Sequence, residues 1–264
     1  MHPVDAFLLE DSEDAVWESY HENSKTTRAT PHLYFDRHPS DGTVVAMMNR
    51  LREAKPYHDR PRIALPYDLP PSVIGLDEAL TGRESARGFG PGPVGLPDVS
   101  KILRCAYGVT RPNADGRYPR PFRAAPSGGA LYPLELYLWA REVSGLVPGL
   151  YHYDPAAHEL HELGEFEAGG CFVQSDLVAA APAVVLVSAV FYRSAFKYGE
   201  RGYRFVLIEA GHVVQNAVLA ASGRGLAAVP VGGYFDRELD GRLGFDGLHE
   251  SVVYCLLLGP REPE

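Results

Sequence analysis

The sequence predicts an α+β protein, and two segments with different periodicities support that prediction. Residues 134–141 alternate leucine with glutamate, tyrosine and tryptophan, a period of two that is typical of a strand. Residues 204–222 place small and aliphatic side chains on one stripe at helical spacing, and Gly223 and Gly225 end that helix. Strands and helices follow one another without a strict βαβ rhythm, which favours α+β over α/β.

The remaining elements are shorter, and they begin after a distinctive N-terminal part. Residues 1–75 are polar and rich in His and Pro, so we expect an extension that packs on a core formed by residues 76–264. Two short helices are predicted in the extension, over 14–20 and 42–53. In the core we predict helices over 76–81 and 99–107, the second capped by Asp98 or Ser100. Strands are predicted over 149–153, 159–163, 183–190 and 251–258.

Composition and charge exclude several classes of protein. The 264 residues are 45% hydrophobic and 22% charged, which is typical of a globular chain, and the net charge is −9. An acidic chain repels phosphate backbones and anionic lipids, and the basic residues of 111–123 are too few to outweigh that, so we expect neither nucleic-acid nor membrane binding. Three cysteines at long spacings argue against a disulfide framework and a metal site. An acidic N-terminus without a signal-peptide pattern points to a cytoplasmic protein.

Two loop segments could bind an anion or a flat ligand. Arg83, Ser85 and Arg87 place two guanidinium groups and a hydroxyl within five residues, and these could converge on a phosphate or simply be exposed surface residues. Pro126, Ser127 and Gly128 begin a Pro-Ser-Gly-Gly loop directly before the strand at 134. Such a loop lets the backbone and the serine hydroxyl approach a ligand, although a tight turn is the alternative.

Two further segments could carry chemistry. Lys197 and Tyr198 are adjacent before Gly199, where both could face one cavity. A lysine is a useful base only if burial or nearby cations lower its pKa, and three arginines, Arg193, Arg201 and Arg204, lie close by in sequence. A solvated lysine beside an interfacial tyrosine is the alternative. Gly232 and Gly233 form a second glycine loop, after an apolar segment that follows the long helix.

Three polar residues interrupt the long apolar helix. We expect His212 to be a hydrogen-bonded interior histidine rather than a ligand or a base. We expect Glu209 and Gln215 to be buried and hydrogen-bonded in the same way.

Taken together and in this order, these segments resemble the nitroreductase-like flavoprotein superfamily. More narrowly, they resemble its SagB-type branch, the azoline (thiazoline or oxazoline) dehydrogenases of peptide natural-product pathways. The resemblance covers residues 76–262, and the Tyr-His-Glu-Asn-Ser-Lys segment at 20–25 is also similar to that branch. The motifs that carry it are Pro-Ser-Gly-Gly-Ala-Leu-Tyr-Pro at 126–133, Lys-Tyr-x-x-Arg-Gly-Tyr-Arg-Phe at 197–205, Glu-Ala-Gly-His-x-x-Gln-Asn at 209–216, and the loop at 232–233.

The resemblance implies a fold, a cofactor and an assembly. The fold is a central mixed or antiparallel sheet flanked by helices, built as an intertwined homodimer with FMN at the subunit interface. Arg83, Ser85, Arg87 and Arg261 match residues that hold the FMN phosphate. Pro126, Ser127 and Gly128 match a loop that lies against the flavin and comes from the other subunit. Gly232 and Gly233 match a loop near flavin N5, and Lys197 and Tyr198 match the catalytic pair of azoline dehydrogenases.

Two departures from the family pattern stand out. Many relatives have Arg-Arg-Ser where this chain has Arg83-Glu84-Ser85, which affects the expected phosphate contacts. Ordinary nitroreductases have Pro-Ser-Ser-x-Asn where this chain has Pro-Ser-Gly-Gly-Ala, and this difference favours the SagB-type branch.

The activity that the resemblance implies is oxidation of an azoline ring to an azole on a peptide or a peptide-like intermediate. Lys197, as a neutral amine, would remove the α-proton while hydride passes to flavin N5, and Tyr198 would position the ring. Dioxygen would be the final electron acceptor, and a cyclodehydratase or a carrier protein would be a partner. Two alternatives stay open: reduction of nitro compounds or quinones by NAD(P)H, and a flavin-poor scaffold subunit of a peptide-modifying complex, which Glu84 favours.

Overall fold

The computed structural model describes residues 16–28, 46, 54–57, 59–113 and 120–262. The strands, in chain order, are β1 Arg62–Ala64, β2 Val94–Gly95, β3 Val109–Arg111, β4 Phe122–Arg123, β5 Leu134–Ala140, β6 Val143–Ser144, β7 Gly149–Asp154, β8 Glu159–Gly164, β9 Ala183–Val190, β10 Leu226–Val231 and β11 Glu250–Pro260. The described helices are α1 Val16–Asn23, α2 Leu76–Thr81, α3 Leu96–Tyr107, α4 Ser175–Ala180, α5 Tyr192–Tyr198, α6 Arg201–Ser222 and α7 Asp236–Leu243.

A seven-stranded sheet in the order β1-β8-β7-β5-β9-β11-β10 forms the centre of the described chain. Every pairing within it is antiparallel. β2 and β6 form a small parallel pair, and β3 and β4 a small antiparallel one. Helices α3 and α6 pack on one face of the large sheet, while α4 and α7 lie against the other. Because both faces are covered, every residue of the central strand β9 is buried.

The predicted α+β class, with a central antiparallel sheet flanked by helices, is confirmed. The strands expected over 134–141, 149–153, 159–163, 183–190 and 251–258 are all present, with ends shifted by up to two residues. The turn at 154–157 is held by the Asp154 carboxylate, which accepts hydrogen bonds from the Ala156 and Ala157 amides. The three cysteines are free thiols.

Some helix boundaries differ from prediction. The helix expected over 99–107 begins at Leu96, with Gly95 at the N-cap and Pro97 in the first turn, so the capping role given to Asp98 or Ser100 was wrong. Asp98 instead accepts a hydrogen bond from the Arg224 guanidinium at 2.6 Å. The first helix among the described residues, Val16–Asn23, contains the described part of the helix predicted over 14–20 and extends it by three residues. The helix predicted over 42–53 lies, apart from Ala46, outside the described residues.

The long helix α6 begins at Arg201, and its buried stripe lies against the sheet. His212 and Gln215 are exposed, so the interior sites predicted for them were wrong. Both side chains are exposed because, around the helix axis, residues 212 and 215 lie on the side of α6 opposite the buried Ala210, Val214 and Ala221. Glu209 is buried, as expected. The helix is long and apolar enough to cross a membrane by length and composition, but 56% of that window is buried inside the protein, as in a core helix.

Candidate functional site

Lys197 and Tyr198 meet the glycine loop at Gly129. Both side chains come from the last turn of α5, which ends at Gly199 with φ +54°. A Cβ atom on Gly129 would stand 2.6 Å from the Tyr198 hydroxyl oxygen and 2.8 Å from Lys197 Nζ. The sheet brings the glycine loop and α5 together, because Leu134, just after the loop, pairs with Ala189, just before α5. Two of the segments singled out in the sequence therefore form one site.

Aromatic packing fixes the tyrosine of this pair. The Tyr198 side chain is only 7% exposed, and its ring meets the edge of Phe205 with centroids 4.9 Å apart. Phe205 in turn lies 3.3 Å from the Cβ position of Gly128. Lys197 Nζ stands 5.1 Å from the centre of the Tyr198 ring. The Lys197 amino group thus lies over an aromatic surface beside the loop.

The loop itself has an unusual backbone. Gly129, Ala130 and Tyr132 all have positive φ angles, at +66°, +53° and +48°. Left-handed conformations of residues with a Cβ cost about 1–3 kcal/mol each and persist only where the surroundings impose them. The Ser127 hydroxyl oxygen accepts a hydrogen bond from the Tyr132 amide at 2.9 Å and is also hydrogen-bonded to Glu209. The hydroxyl is therefore occupied within the protein, contrary to the expectation that it points at a ligand.

Glu209 lies beneath this loop as a buried carboxyl. The Tyr107 hydroxyl donates to its Oε1 at 2.7 Å, and the same hydroxyl oxygen accepts from the Leu134 amide at 3.3 Å. Burial raises the pKa of Glu209 to about 7, against the lowering effect of its bonds to Ser127 and Tyr107. The sequence indicated a buried, hydrogen-bonded glutamate, but nothing in its spacing indicated a link to the loop.

The phosphate-binding residues expected from the sequence are mostly gathered at one cavity. A cavity of about 380 Å³ is lined by Ser85, Arg87 and Arg261, together with Glu84 and Glu262. The segment that contains Ser85 and Arg87 is held against the end of β11, because the Gly90 amide donates to the Pro260 carbonyl at 2.9 Å. Arg83 is exposed and is not among the residues that line this cavity.

Two guanidinium groups and a hydroxyl are a suitable donor set for a phosphate. The two carboxylates beside them weaken the positive potential of the same cavity. One of these carboxylates belongs to Glu84, at the position where the resemblance leads us to expect arginine.

The second glycine loop follows β10 and has open space beside its backbone. The Gly233 carbonyl accepts a hydrogen bond from the Val173 amide at 3.0 Å, which fixes the turn. A Cβ atom on Gly232 would meet no atom within 4 Å. A flat ligand could therefore approach this backbone closely.

The three arginines near Lys197 in sequence are held by other groups. Arg193 Nη1 lies 2.6 Å from the buried Glu135 carboxylate. Burial opposes ionisation of Glu135, but its bond to His152 and the charge of Arg193 lower its pKa to about 2. The Ser24 hydroxyl accepts from Arg204 Nε at 2.8 Å, and the Ser24 carbonyl accepts from Arg201 Nη1 at 3.2 Å. Arg193 is thus paired with a carboxylate, whereas Arg201 and Arg204 are bound by the hydroxyl and carbonyl groups of Ser24 and keep their positive charge near Lys197 in sequence.

Those bonds also join α1 to the start of α6. The Tyr20 hydroxyl donates to the Glu200 carbonyl at 3.2 Å, and the Tyr20 ring packs edge-on against Tyr203 at 5.4 Å. The segments 20–25 and 197–205, which both carry the family resemblance, are thus neighbours in space.

Within one chain, the two halves of the expected site lie far apart. Lys197 and Tyr198 precede the first turn of α6, whereas Ser222, its last residue, lines the cavity that contains Arg87 and Arg261. A helix of 22 residues is about 33 Å long. A single chain therefore does not bring the phosphate-binding residues and the lysine–tyrosine pair to one small ligand.

Comparison with known proteins shows which family the sequence matches. The profile described as Nitroreductase family matches residues 80–259. The Methanocaldococcus jannaschii protein MJ1384, named as a candidate nitroreductase, is 38% identical over 170 residues, covering 63% of this chain and 82% of the relative. The microcin B17-processing protein McbC of Escherichia coli is 30% identical over 157 residues, 56% of each chain. The trifolitoxin-processing protein TfxB of Rhizobium leguminosarum is 28% identical over 210 residues, covering 72% of this chain and 53% of TfxB.

Solved structures share the fold. A nitroreductase-type protein from Anabaena variabilis superposes with a TM-score of 0.68 at 26% identity, covering 91% of this chain and 45% of that one. A chain of the E. coli microcin synthetase McbBCD complex, solved with truncated pro-MccB17 bound, superposes with a TM-score of 0.59 at 20% identity, covering 94% and 93%. The second likeness concerns the fold alone.

Proposed function

Because the chain belongs to the nitroreductase family of oxidoreductases, we propose that it uses FMN to dehydrogenate azoline rings to azoles on a peptide or peptide-like substrate. The observation that carries this proposal is the convergence of Lys197 and Tyr198 on Gly129. A reductase fed by NAD(P)H does not need a lysine held beside its loop, whereas abstraction of a carbon-bound proton needs a base.

The chain offers suitable residues for FMN, which proteins of the nitroreductase family bind. Ser85, Arg87 and Arg261 would hold the phosphate, and the backbone of Gly232, which has open space beside it, would lie along the ring system together with Gly233. Pro126, Ser127 and Gly128 would cover the ring through their backbone, since the Ser127 hydroxyl is occupied. When bound, FMN would supply the acceptor for the two electrons that leave the substrate as hydride.

We propose that a second copy of the chain completes the site. The two sets of residues lie near opposite ends of α6, a helix about 33 Å long, so one chain would contribute Arg87 and Arg261 and the other Lys197 and the loop. The outer face of α6 supports this arrangement because it exposes apolar side chains that a partner could cover, namely Tyr203, Leu207 and Ile208.

The roles of the chain's own residues follow from the chemistry of the ring. Lys197, as a neutral amine, would take the proton from the azoline α-carbon, and that electron pair would form the new double bond as the β-carbon loses hydride. The Tyr198 hydroxyl would donate a hydrogen bond to the charge that develops on the ring. Its buried ring, packed on Phe205, restricts the hydroxyl to one position. Positioned general-base catalysis contributes about 10²–10⁴-fold.

The peptide class of substrate is supported by two relatives, which are named for processing microcin B17 and trifolitoxin. We therefore propose a ring-forming partner, a cyclodehydratase or a carrier protein that presents the substrate. Since the matched regions span 56% and 53% of those two relatives, their full activities are not transferred to this chain.

The second candidate function is NAD(P)H-dependent reduction of nitro compounds or quinones. The relative from M. jannaschii, with a nitroreductase name and 38% identity, favours it. A flavin-poor scaffold is the third candidate, favoured by the carboxylates of Glu84 and Glu262 in the phosphate cavity.

One experiment tests the azoline proposal against both alternatives. The purified protein is saturated with FMN and incubated with a thiazoline-containing peptide in air, and the peptide is analysed by mass spectrometry. Loss of two hydrogen atoms with the wild type but not with Lys197→Ala supports the proposal. An unchanged peptide, together with rapid oxidation of NADPH by a quinone, supports the reductase. A protein that binds no FMN supports the scaffold.

A further inference from the structure

The glycine loop beside Lys197 is linked to the core at both ends. At its far end the Leu131 carbonyl accepts from Arg120 at 3.3 Å and the Tyr132 hydroxyl accepts from the Arg123 amide at 3.0 Å, while at its start Ser127 links it to the buried Glu209. The Ser127 hydroxyl is hydrogen-bonded to Glu209, and its oxygen accepts the Tyr132 amide, so Ser127 spans the loop from its first residue to its last. Glu209 is 2% exposed and is held on its other side by the Tyr107 hydroxyl at 2.7 Å. Between Ser127 and Tyr132 lie the positive-φ residues Gly129 and Ala130.

We infer that Glu209 is a positioning residue, whose buried carboxylate holds the loop 127–132 in the strained conformation that places Gly129 against Lys197 and Tyr198. The inference rests on the proposed function, because it assigns a purpose to that conformation. Lys197 is not among the described residues that act on the Glu209 carboxyl. Glu209 acts through Ser127. A change at Glu209 would shift the loop backbone at Gly129, against which the Lys197 and Tyr198 side chains pack.

The Glu209 carboxyl is held by hydrogen bonds to hydroxyl groups rather than by an ion pair. Among the described residues, the groups that act on its carboxyl are Tyr107 from α3, Ser127 from the loop and the charge of Arg123 from β4. Arg123 is itself 8% exposed and stacks over the rings of Tyr107 and Tyr132, at 4.4 and 4.7 Å. Both direct partners of the carboxyl are hydroxyls, so its hydrogen bonds rather than an opposite charge define the loop geometry.

The ionisation state of the carboxyl matters for this role. A carboxylate accepts hydrogen bonds from both hydroxyls at once, whereas a protonated carboxyl must donate one of its own bonds. Burial raises the pKa of Glu209 to about 7, so the change falls near neutral pH.

The test follows the loop directly, by hydrogen exchange of the peptide that contains residues 127–132. We expect Glu209→Ala to speed its exchange by about ten-fold, the effect of losing one hydrogen bond, while the peptide over 183–190 in β9 is unchanged. Ser127→Ala, which cuts the same link from the loop side, should give the same result if Glu209→Ala folds poorly. Glu238→Gln, an exposed glutamate on α7, is the matched control for Glu209→Gln.

Two outcomes overturn the inference. Unchanged exchange of the loop in Glu209→Ala and Ser127→Ala means that the link does not hold the loop. Equal loosening of the loop and of β9 means that Glu209 stabilises the whole fold.

The exchange readout needs neither substrate nor flavin, so it stands even if azoline oxidation is disproved. With a thiazoline peptide, Glu209→Gln should lower kcat about ten-fold without a matching rise in KM and remove an ionisation near pH 7 from the kcat profile. An unchanged kcat profile beside a loosened loop would overturn the positioning role.

Discussion

Lys197 Nζ lies 2.8 Å from the position that a Cβ atom on Gly129 would occupy, so the lysine side chain packs directly against the glycine backbone. The absence of a Cβ at Gly129 is thus a condition for the position of the lysine. This relationship gives a physical reason for glycine at position 129.

The first prediction concerns Gly129→Ala. The new Cβ would clash with Lys197 and Tyr198, and we expect azoline turnover to fall at least ten-fold while FMN stays bound. Gly244→Ala is the matched control. Gly244 has a similar φ of +74°, but a Cβ there would meet no atom within 4 Å. Equal losses of activity in the two variants would show that backbone strain, and not the clash, is responsible.

The second prediction concerns the catalytic pair. Lys197→Ala should lower turnover by about 10²–10⁴-fold, because it removes the base, and Tyr198→Phe should lower it by about ten-fold through the lost hydrogen bond. Stopped-flow flavin absorbance with substrate measures both. Tyr192→Phe, at the exposed start of the same helix, should leave turnover unchanged. Loss of flavin from Lys197→Ala would reassign the lysine to cofactor binding.

The third prediction separates two arginines that are four residues apart. Arg87 lines the cavity with Ser85 and Arg261, whereas Arg83 does not. Arg87→Ala should weaken FMN binding by about 10–100-fold, the effect of one charge-assisted hydrogen bond, and Arg83→Ala should have a much smaller effect. Titration of the apoprotein with FMN gives both dissociation constants. A larger effect at Arg83 would mean that the phosphate lies outside this cavity.

The fourth prediction uses the pKa of Glu209. Burial raises its folded-state pKa to about 7 from 4.5, so the stability it contributes is fully present below pH 4.5 and is lost as pH rises through 7. Relative to wild type, Glu209→Gln should therefore gain roughly 2–4 kcal/mol in free energy of unfolding between pH 4 and pH 8. Urea denaturation at both values measures this. A constant difference across the range would mean that Glu209 ionises normally.

The fifth prediction tests the shared site. Co-expression of the Lys197→Ala and Arg87→Ala chains would produce mixed dimers with one site free of both substitutions, so about a quarter of wild-type activity should return. Each variant expressed alone should be inactive or nearly so at low FMN. If the mixture stays as inactive as its components, Lys197 and Arg87 serve the same site from the same chain.

Local patterns were enough to predict most of the fold. The apolar run at 183–190 predicted the central strand β9, as expected where both faces of a sheet are covered. The alternation of residues 134–141 predicted β5, although Glu135, Tyr137 and Trp139 are buried as well as the leucines. His212 and Gln215 were misplaced because the apolar character of α6 as a whole was taken to bury them, whereas helical spacing puts both on the side opposite the buried stripe.

The site was harder to predict, because its parts are joined by tertiary contacts. Lys197 and Tyr198 could be chosen from their sequence context, but their contact with Gly129 depends on the pairing of β5 with β9. The hydrogen bond between Glu209 and Ser127 joins residues 82 positions apart, so no local sequence pattern indicates it. The hydrogen bonds from Arg201 and Arg204 to Ser24 are also long-range and equally absent from any local pattern. The positive φ of Ala130 and Tyr132 was also invisible, since neither residue type favours it.

The central claim, that an azoline is the electron donor, is tested most directly by anaerobic reduction of the protein-bound flavin. A thiazoline-containing peptide and NADPH are added to separate samples of the FMN-loaded protein, and the oxidised-flavin absorption band is followed. We predict that the peptide bleaches this band in the wild type but not in Lys197→Ala, and that NADPH bleaches it slowly or not at all. Rapid bleaching by NADPH, with none by the peptide, would contradict the account and identify the chain as a reductase.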